Sequence, residues 1–159
     1  MSRSTSDAPT IQVEIVLHTM PSISYQTLPG PVGDCLKAAS LATTASVPVS
    51  SNTSLVFTTG HIGLDLKTGA LVNHDAKAEF EAIFDCLDAA LKNAGVAAGM
   101  AQAYRLVSYL VRAEDETMMH DIFRRKYPGH TPTWATVIVK AINVATMRAE
   151  ITAEAAYFH

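Results

Sequence analysis

The sequence predicts an α+β fold in which two amphipathic helices cover one face of a β-sheet. Two observations predict it. Several short segments have the apolar alternation or the β-branched composition of strands, and two longer segments between them carry apolar residues at helical spacing. Their order is strands, helix, strand, helix and two strands, which is typical of a layered α+β structure. At 159 residues the chain is long enough for one domain that buries roughly two thirds of its unfolded surface.

The first part of the chain predicts a disordered tail, a strand and a loop. Residues 1–9 are polar and rich in serine, so we expect a disordered tail followed by a single domain over residues 10–159. Residues 10–18 alternate between apolar and polar side chains, as in a half-buried strand. Residues 19–35 contain closely spaced prolines and glycines and therefore predict a loop.

The middle of the chain predicts a strand, a turn and the first helix. Residues 54–60 form a short apolar strand, and a turn follows at residues 67–69. Over residues 75–95 the apolar side chains recur on one helical face. Asp75 is positioned to cap the start of this helix, and Gly95 is positioned to end it.

The second half predicts the remaining strands and the second helix. Residues 102–111, 134–142 and 147–157 have strand composition. Residues 113–129 begin with acidic side chains and end with basic ones, which matches the helix dipole at both ends. Because two helices cover only one face of the sheet and its strands are apolar on both faces, we expect the second face to pack against other copies of the chain.

Composition argues against several classes of partner. The net charge of −3, without a basic cluster, is unlike a surface that binds nucleic acid or an anionic membrane. No apolar run approaches the roughly 20 residues that cross a bilayer, and the start has no secretory signal, so we expect a cytoplasmic protein. Cys35 and Cys86 are expected to be reduced thiols, and the histidines show no metal-ligand spacing.

Four stretches, taken in order, resemble the Rid family, also called the YjgF or L-PSP family. They are SLVFTTGHIGLD, FEAIFDCLDAALKNAG, RLVSYLVRAED, and PGHTPTWATVIVKAI followed by RAEITAEA. The resemblance covers roughly residues 53–157. It implies a chorismate mutase-like fold with a mostly antiparallel sheet, and a homotrimer with small-molecule sites in clefts between subunits. It also implies chemistry without a metal or organic cofactor.

The resemblance also implies a set of site residues. In the branch that hydrolyses 2-imino acids, an arginine binds the substrate carboxylate; here Trp134, followed by Ala135, stands at that position. An indole carries no charge, so it cannot replace the bidentate guanidinium. Trp134 is therefore either an aromatic residue of the core or subunit contact, or a stacking wall for a flat ligand. Thr59, Gly60 and His61 replace the family's Ser-Gly-Gln triplet, and His61 is a candidate general acid or base.

The last strand supplies the remaining candidates. Thr152 aligns with a water-positioning glutamate of the family, with an ambiguity of one residue, so Glu150 and Glu154 are both candidate catalytic carboxylates. Either of them is equally well interpreted as an exposed carboxylate at a strand edge. Arg148 is a candidate substitute for the missing arginine.

These residues predict a cofactor-free enzyme of Rid type that acts by acid-base chemistry on a neutral imine, enamine or enol-like metabolite. Hydrolysis, tautomerisation and cyclisation are the candidate reactions, and specialised metabolism is the expected setting. One alternative is an ordinary 2-iminobutyrate-type deaminase, with Arg148 or Arg105 binding the carboxylate. The other is a trimer that binds a ligand or acts as a scaffold without catalysis.

Overall fold

A six-stranded sheet is the frame of the fold in the computed structural model, which describes residues 22–158. The strands are β1 (Ser24–Gln26), β2 (Thr44–Ser50), β3 (Thr53–Thr58), β4 (Ala103–Leu110), β5 (Thr133–Ile138) and β6 (Ala149–Phe158). Their order across the sheet is β1-β2-β3-β6-β4-β5. Neighbouring strands are antiparallel except for β4 and β5, which are parallel. The predicted α+β fold with a mostly antiparallel sheet is confirmed.

Two helices occupy the positions that the hydrophobic periodicity predicts. Helix α2 spans Ala76–Asn93 and follows Asp75, whose carboxylate accepts a hydrogen bond of 2.8 Å from the backbone N–H of Ala78. Gly95 follows this helix with a φ of 94°, a left-handed conformation that glycine adopts without a steric penalty. Helix α3 spans Glu116–Lys126 and is shorter than predicted because the residues before it form a turn of 3₁₀-helix.

The structure corrects the prediction of two helices, because a third helix lies in the predicted loop. Helix α1 spans Pro31–Ala38 and carries its proline in the first turn, where the missing N–H costs nothing. Strand β2 was also not predicted; its apolar alternation is weak, and Pro48 lies where the pairing with β3 shifts register. The predicted tail over residues 1–9 and the predicted strand over residues 10–18 lie outside the described residues.

The helices cover only one face of the sheet, which we call the core face. On β6 the residues Ala149, Ile151, Ala153 and Ala155 are buried and alternate with half-buried ones, so the strand has one face inside and one outside. The core face packs with α2 and α3 in a single cluster whose largest side chains include Phe80, Phe84, Leu87, Leu106, Met119 and Phe123. Helix α1 contributes Val32 to a second cluster, which reaches α2 at Cys86.

The opposite face, which we call the open face, carries several partly exposed apolar side chains. The strand registers place on it the following residues: Tyr25, Leu55, Phe57, Val107, Tyr109 and Val137. Val137 is 42% exposed and Tyr109 is 37% exposed. The described strands therefore have apolar residues on both faces, as the sequence predicts.

A fully buried carboxylate fixes the start of β6. The side chain of Glu79, on α2, is 0% exposed. Its oxygens accept hydrogen bonds from the backbone N–H groups of Arg148 (2.5 Å) and Ala149 (3.1 Å), and one of them lies 3.0 Å from the Arg148 guanidinium. A buried carboxylate is tolerated when such partners replace its hydration. The ion pair therefore joins α2 to the first residues of β6.

Replacing Glu79 is expected to destabilise the protein strongly. Glu79→Ala removes the carboxylate that neutralises the Arg148 guanidinium and that accepts two backbone N–H groups, so the free energy of unfolding should fall by about 3–5 kcal/mol. The matched control is Glu81→Ala on the same helix, which removes only an exposed pair with Arg125 and should cost less than about 1 kcal/mol. Urea unfolding of both variants measures the difference. Equal losses would contradict the role assigned to Glu79.

Candidate functional site

Glu150 presents an unpaired carboxylate at the end of the open face. It is the second residue of β6, and its side chain lies directly against the backbone of Gly60. A Cβ atom at residue 60 would lie 1.9 Å from Glu150 Oε1, so a larger residue at this position would require the Glu150 side chain to move. Among the described residues no side chain or backbone group forms a hydrogen bond or ion pair with this carboxylate. Glu150 is therefore available as an acceptor for a ligand or a water molecule.

A small pocket surrounds this carboxylate. It has a volume of about 230 Å³ and is lined by Tyr109, Val139, Ala141, Ile142, Asn143 and Glu150. Tyr109 and Glu150 are direct partners in the pairing of β4 with β6, so their side chains lie side by side on the open face. Tyr109 and Asn143 are not among the site residues predicted from the sequence, because their proximity to Glu150 depends on strand register and on the path of the chain after β5.

Glu154 lies on the same face but is already paired. Its carboxylate forms an ion pair with Arg105 and accepts a hydrogen bond of 3.1 Å from the Tyr104 hydroxyl. Burial, followed by this hydrogen bond, raises the pKa of Tyr104. Thr152 lies between the two carboxylates on the open face and pairs with Val107, which also faces Ala135 on β5. The two carboxylates therefore differ in environment, and Glu150 is the uncommitted one.

Arg148 does not reach the open face. It precedes β6, and its guanidinium contacts Glu79 and donates a hydrogen bond of 3.3 Å to the carbonyl oxygen of Asn73. Its charge is neutralised against α2, on the core side of the sheet. Within one chain the structure does not bring Arg148 together with Glu150.

Trp134 lies on the core side of β5, with one edge at the surface. It pairs with Leu106, and its indole Nε1–H donates a hydrogen bond of 2.7 Å to Ser108 Oγ. The ring packs edge-to-face against Phe84 and Phe123 at centroid distances of 6.1 and 4.9 Å. These contacts match the interpretation of Trp134 as a core aromatic.

Trp134 also lines a surface depression, so the second interpretation is compatible with the structure. The depression has a volume of about 250 Å³ and is lined by His120, Phe123, Arg124, His130, Thr131, Pro132 and Trp134. The His120 ring contacts the indole at a centroid distance of 4.6 Å, and His130 Nε2 lies 2.8 Å from the carbonyl oxygen of Ala103. Since the indole donor is bound to Ser108, Trp134 offers a ligand only its ring surface.

His61 lies on the core face and is almost completely buried. Its backbone forms two hydrogen bonds with Ile151, of 2.9 and 3.0 Å, so its side chain points to the same side as Ile151. The ring is 1% exposed, and neither ring nitrogen has a hydrogen-bond partner. This desolvation lowers the pKa of His61 from 6.5 to about 4. His61 is therefore neutral at pH 7 and lies on the opposite side of the sheet from Glu150.

The predicted site residues thus form two groups within one chain. Gly60, Ala135, Glu150, Thr152 and Glu154 belong to the open face, and Thr59 borders a third depression, of about 470 Å³, beside Tyr25 and Phe57. His61 and Trp134 belong to the core face. Along β4 the partners of Trp134 and Glu150 are three residues apart, which corresponds to about 10 Å.

Comparison with known proteins places this arrangement in a family. The profile of the family described as endoribonuclease L-PSP matches residues 37–157. The chain belongs to this family. Membership supports a role in binding small molecules, or in enamine and imine chemistry, at the level of the family as a whole. No curated protein matches the chain.

Solved structures of the same family share the fold. A member of the YjgF/YER057c/UK114 family from Mycobacterium tuberculosis has 18% sequence identity and a TM-score of 0.66, over 84% of this chain and 98% of that one. TdcF of E. coli with bound serine has 19% identity and a TM-score of 0.59, over 69% and 84% of the two chains. RidA from the Antarctic bacterium Psychrobacter has 24% identity and a TM-score of 0.59, over the same shares of the two chains.

Residues 22–158 also bear on metal binding and on membrane crossing. Within this range no group of three or more His, Cys, Asp or Glu side chains is arranged to hold a metal ion. None of the helices in this part of the chain has the length and apolar character needed to cross a membrane.

The buried His61 predicts a loss of stability in acid. Its pKa is 6.5 when unfolded and about 4 when folded, so between these values the unfolded chain binds more protons. The stabilisation that comes from burying neutral His61 is complete above pH 6.5. As the pH falls towards 4, the free energy of unfolding decreases by about 3 kcal/mol in total. His61→Gln should flatten this part of the profile, whereas His74→Gln, at an exposed histidine, should not. Urea unfolding between pH 7 and 4 measures both, and an unchanged slope in His61→Gln would contradict the assignment.

Proposed function

We propose that this protein is a cofactor-independent enzyme that performs acid-base chemistry on a small neutral imine, enamine or enol-like molecule. The observation that carries the proposal is the unpaired carboxylate of Glu150, which lies against Gly60 and faces a small pocket. A carboxylate without a partner, at the edge of a pocket, meets one requirement of a general base, which is a free acceptor within reach of a ligand.

The charges around the pocket favour a substrate without a carboxylate. Glu150 carries a negative charge, and two nearby arginines are neutralised: Arg148, which precedes β6, by Glu79, and Arg105, on β4, by Glu154. Lys140, between the lining residues Val139 and Ala141, is exposed to solvent, which screens its charge. A second carboxylate near Glu150 would be repelled, whereas a protonated imine would be stabilised. The Trp134 ring lines the separate depression on the core side, and because its only donor is occupied it would also accept a flat and uncharged ligand.

The proposed chemistry uses Glu150 in one of two ways. It accepts a proton from the substrate, which permits tautomerisation or cyclisation, or it orients a water molecule that attacks the imine carbon, which leads to hydrolysis. Glu154 is proposed to hold Arg105 instead of reacting. His61 has no proton-transfer role in this proposal, because it is 1% exposed and faces the core.

We further propose that the protein is a homotrimer whose open faces pack together. The apolar residues of the open face support this arrangement, since none of the three helices covers them. In such a trimer the Glu150 pocket of one chain would meet the Trp134 depression of its neighbour and form one cleft. The two groups of predicted site residues, which are separate within one chain, would then act together.

RNA is not the proposed partner, although the family description names an endoribonuclease. The net charge is −3. Most of the basic side chains along the described chain are paired with carboxylates: Lys92, Arg105, Arg112, Arg124, Arg125, Lys126 and Arg148. The described lysines outside these pairs are Lys37, Lys67, Lys77 and Lys140, which are scattered along the sequence and do not form the basic cluster that binds a phosphate backbone.

The proposed reaction is tested with 1-pyrroline, a small neutral cyclic imine, by following deuterium exchange next to the C=N bond in D₂O. The wild-type protein should accelerate this exchange, and Glu150→Gln should lower the rate by at least about a hundredfold because the proton acceptor is gone. Glu154→Gln, on the same strand and face, should affect stability through Arg105 more than it affects the rate. NMR spectroscopy measures the exchange.

A parallel assay tests the alternatives. The second substrate is 2-iminobutyrate, which a dehydratase generates from threonine. If the protein accelerates ammonia release from this imine more than it accelerates deuterium exchange of 1-pyrroline, the ordinary deaminase activity replaces this proposal. If the protein binds these imines but changes no rate, the protein is a ligand-binding trimer without catalysis.

The proposed trimer predicts a mass in solution of three chains of 17.0 kDa each. Val107→Asp introduces a charge at the centre of the open face and should yield monomers, because burying an unpaired carboxylate is costly. Met118→Asp, at an exposed position of α3, should leave the mass unchanged. Size-exclusion chromatography with light scattering measures all three proteins. A monomeric wild-type protein would rule out the trimer.

A further inference from the structure

Tyr109 has a free hydroxyl group beside Glu150. The two residues are direct partners across β4 and β6, which places their Cβ atoms about 4.5–5.5 Å apart on the open face. Tyr109 is 37% exposed, and its hydroxyl has no hydrogen-bond partner among residues 22–158. Two other tyrosines differ: Tyr104 donates to Glu154, and Tyr127 donates to the carbonyl oxygen of Phe84.

The pocket around these two groups has both polar and apolar lining residues. Asn143 is exposed and also has no hydrogen-bond partner in the described part of the chain. Ile142 is buried, and Val139 and Ala141 complete the apolar lining. A few uncommitted polar groups among apolar side chains are typical of a small-ligand site.

We propose that Tyr109 is the second acid-base group of this pocket and that it donates its hydroxyl proton to a ligand whose N–H group is bound by Glu150. The inference of a reaction rests on the proposed function; the inference of binding rests on the geometry alone. A phenol is a donor and an ionised carboxylate is only an acceptor, so the pair matches a small neutral ligand with an N–H group next to an acceptor atom. Lactams of a few atoms and enamines with an N–H group, in which the β-carbon accepts the proton, belong to this class.

For an enamine the proton transfers balance within the pair. Tyr109 gives its hydroxyl proton to the β-carbon of the substrate, the C=C bond becomes a single bond, and the C–N bond becomes C=N. Glu150 accepts the proton released from nitrogen. Transfer of that proton from Glu150 to the tyrosinate, directly or through water, restores both groups, so that no oxidant, reductant or cofactor is consumed.

Binding of 2-pyrrolidinone to the full-length protein tests the inference without requiring a substrate. This lactam is neutral and unreactive, and it carries N–H and C=O groups side by side. We expect its dissociation constant, measured by NMR titration, to rise about tenfold in Tyr109→Phe, since one hydrogen bond to the ligand is lost. Tyr104→Phe is the matched control on the same strand, and its dissociation constant should stay within about twofold of that of the wild type, because its hydroxyl is bound to Glu154.

Pyroglutamate, the carboxylated analogue of the lactam, is the second probe and should bind more weakly than 2-pyrrolidinone, because its carboxylate is repelled by Glu150. If 2-pyrrolidinone does not bind, or binds Tyr109→Phe as tightly as the wild type, the inference is overturned. If binding depends on Tyr109 but 1-pyrroline exchange is not accelerated, the proposed function fails and the ligand role of Tyr109 stands. If exchange is accelerated, Tyr109→Phe should lower kcat more than it raises KM.

Discussion

The buried carboxylate of Glu79 determines how the rest of the site is arranged. It accepts the backbone N–H groups of residues 148 and 149 and pairs with the Arg148 guanidinium, so it fixes where β6 begins relative to α2. Since side chains alternate along a strand, fixing Ala149 towards the core sends Glu150 to the other face. The same contact engages the Arg148 guanidinium, so this arginine does not pair with Glu150.

This alternation separates two kinds of titratable group. His61 pairs through its backbone with Ile151 and is carried into the core, where burial lowers its pKa to about 4. Glu150, one residue before Ile151, remains at the surface of the open face. Gly60 precedes His61 in the chain, and the Glu150 carboxylate occupies the space that a side chain at residue 60 would fill. A shift of one residue in the register of β6 would exchange the two environments.

The sequence predicts the elements whose signals are local. Helix α2 has a cap, a stop and one continuous apolar face, and β6 has a regular alternation, so both were predicted. Helix α1 was missed because proline and glycine favour turns in most contexts, yet proline is also favoured in the first turn of a helix. The family resemblance identified Glu150 and Trp134 as candidates. It did not place Tyr109 beside Glu150, because strand register is set by contacts far apart in sequence.

The two edges of the described sheet are protected unequally. Strand β1 has only 3 residues and offers little backbone for pairing, whereas β5 has 6, with Val137 and Ile138 exposed by 42% and 52%. An edge of that length, with apolar side chains and without a lysine among its residues, is a template for aggregation. A lone chain would carry this liability through synthesis and folding. Changes at β5 should therefore affect the yield of recoverable protein before they affect any chemistry.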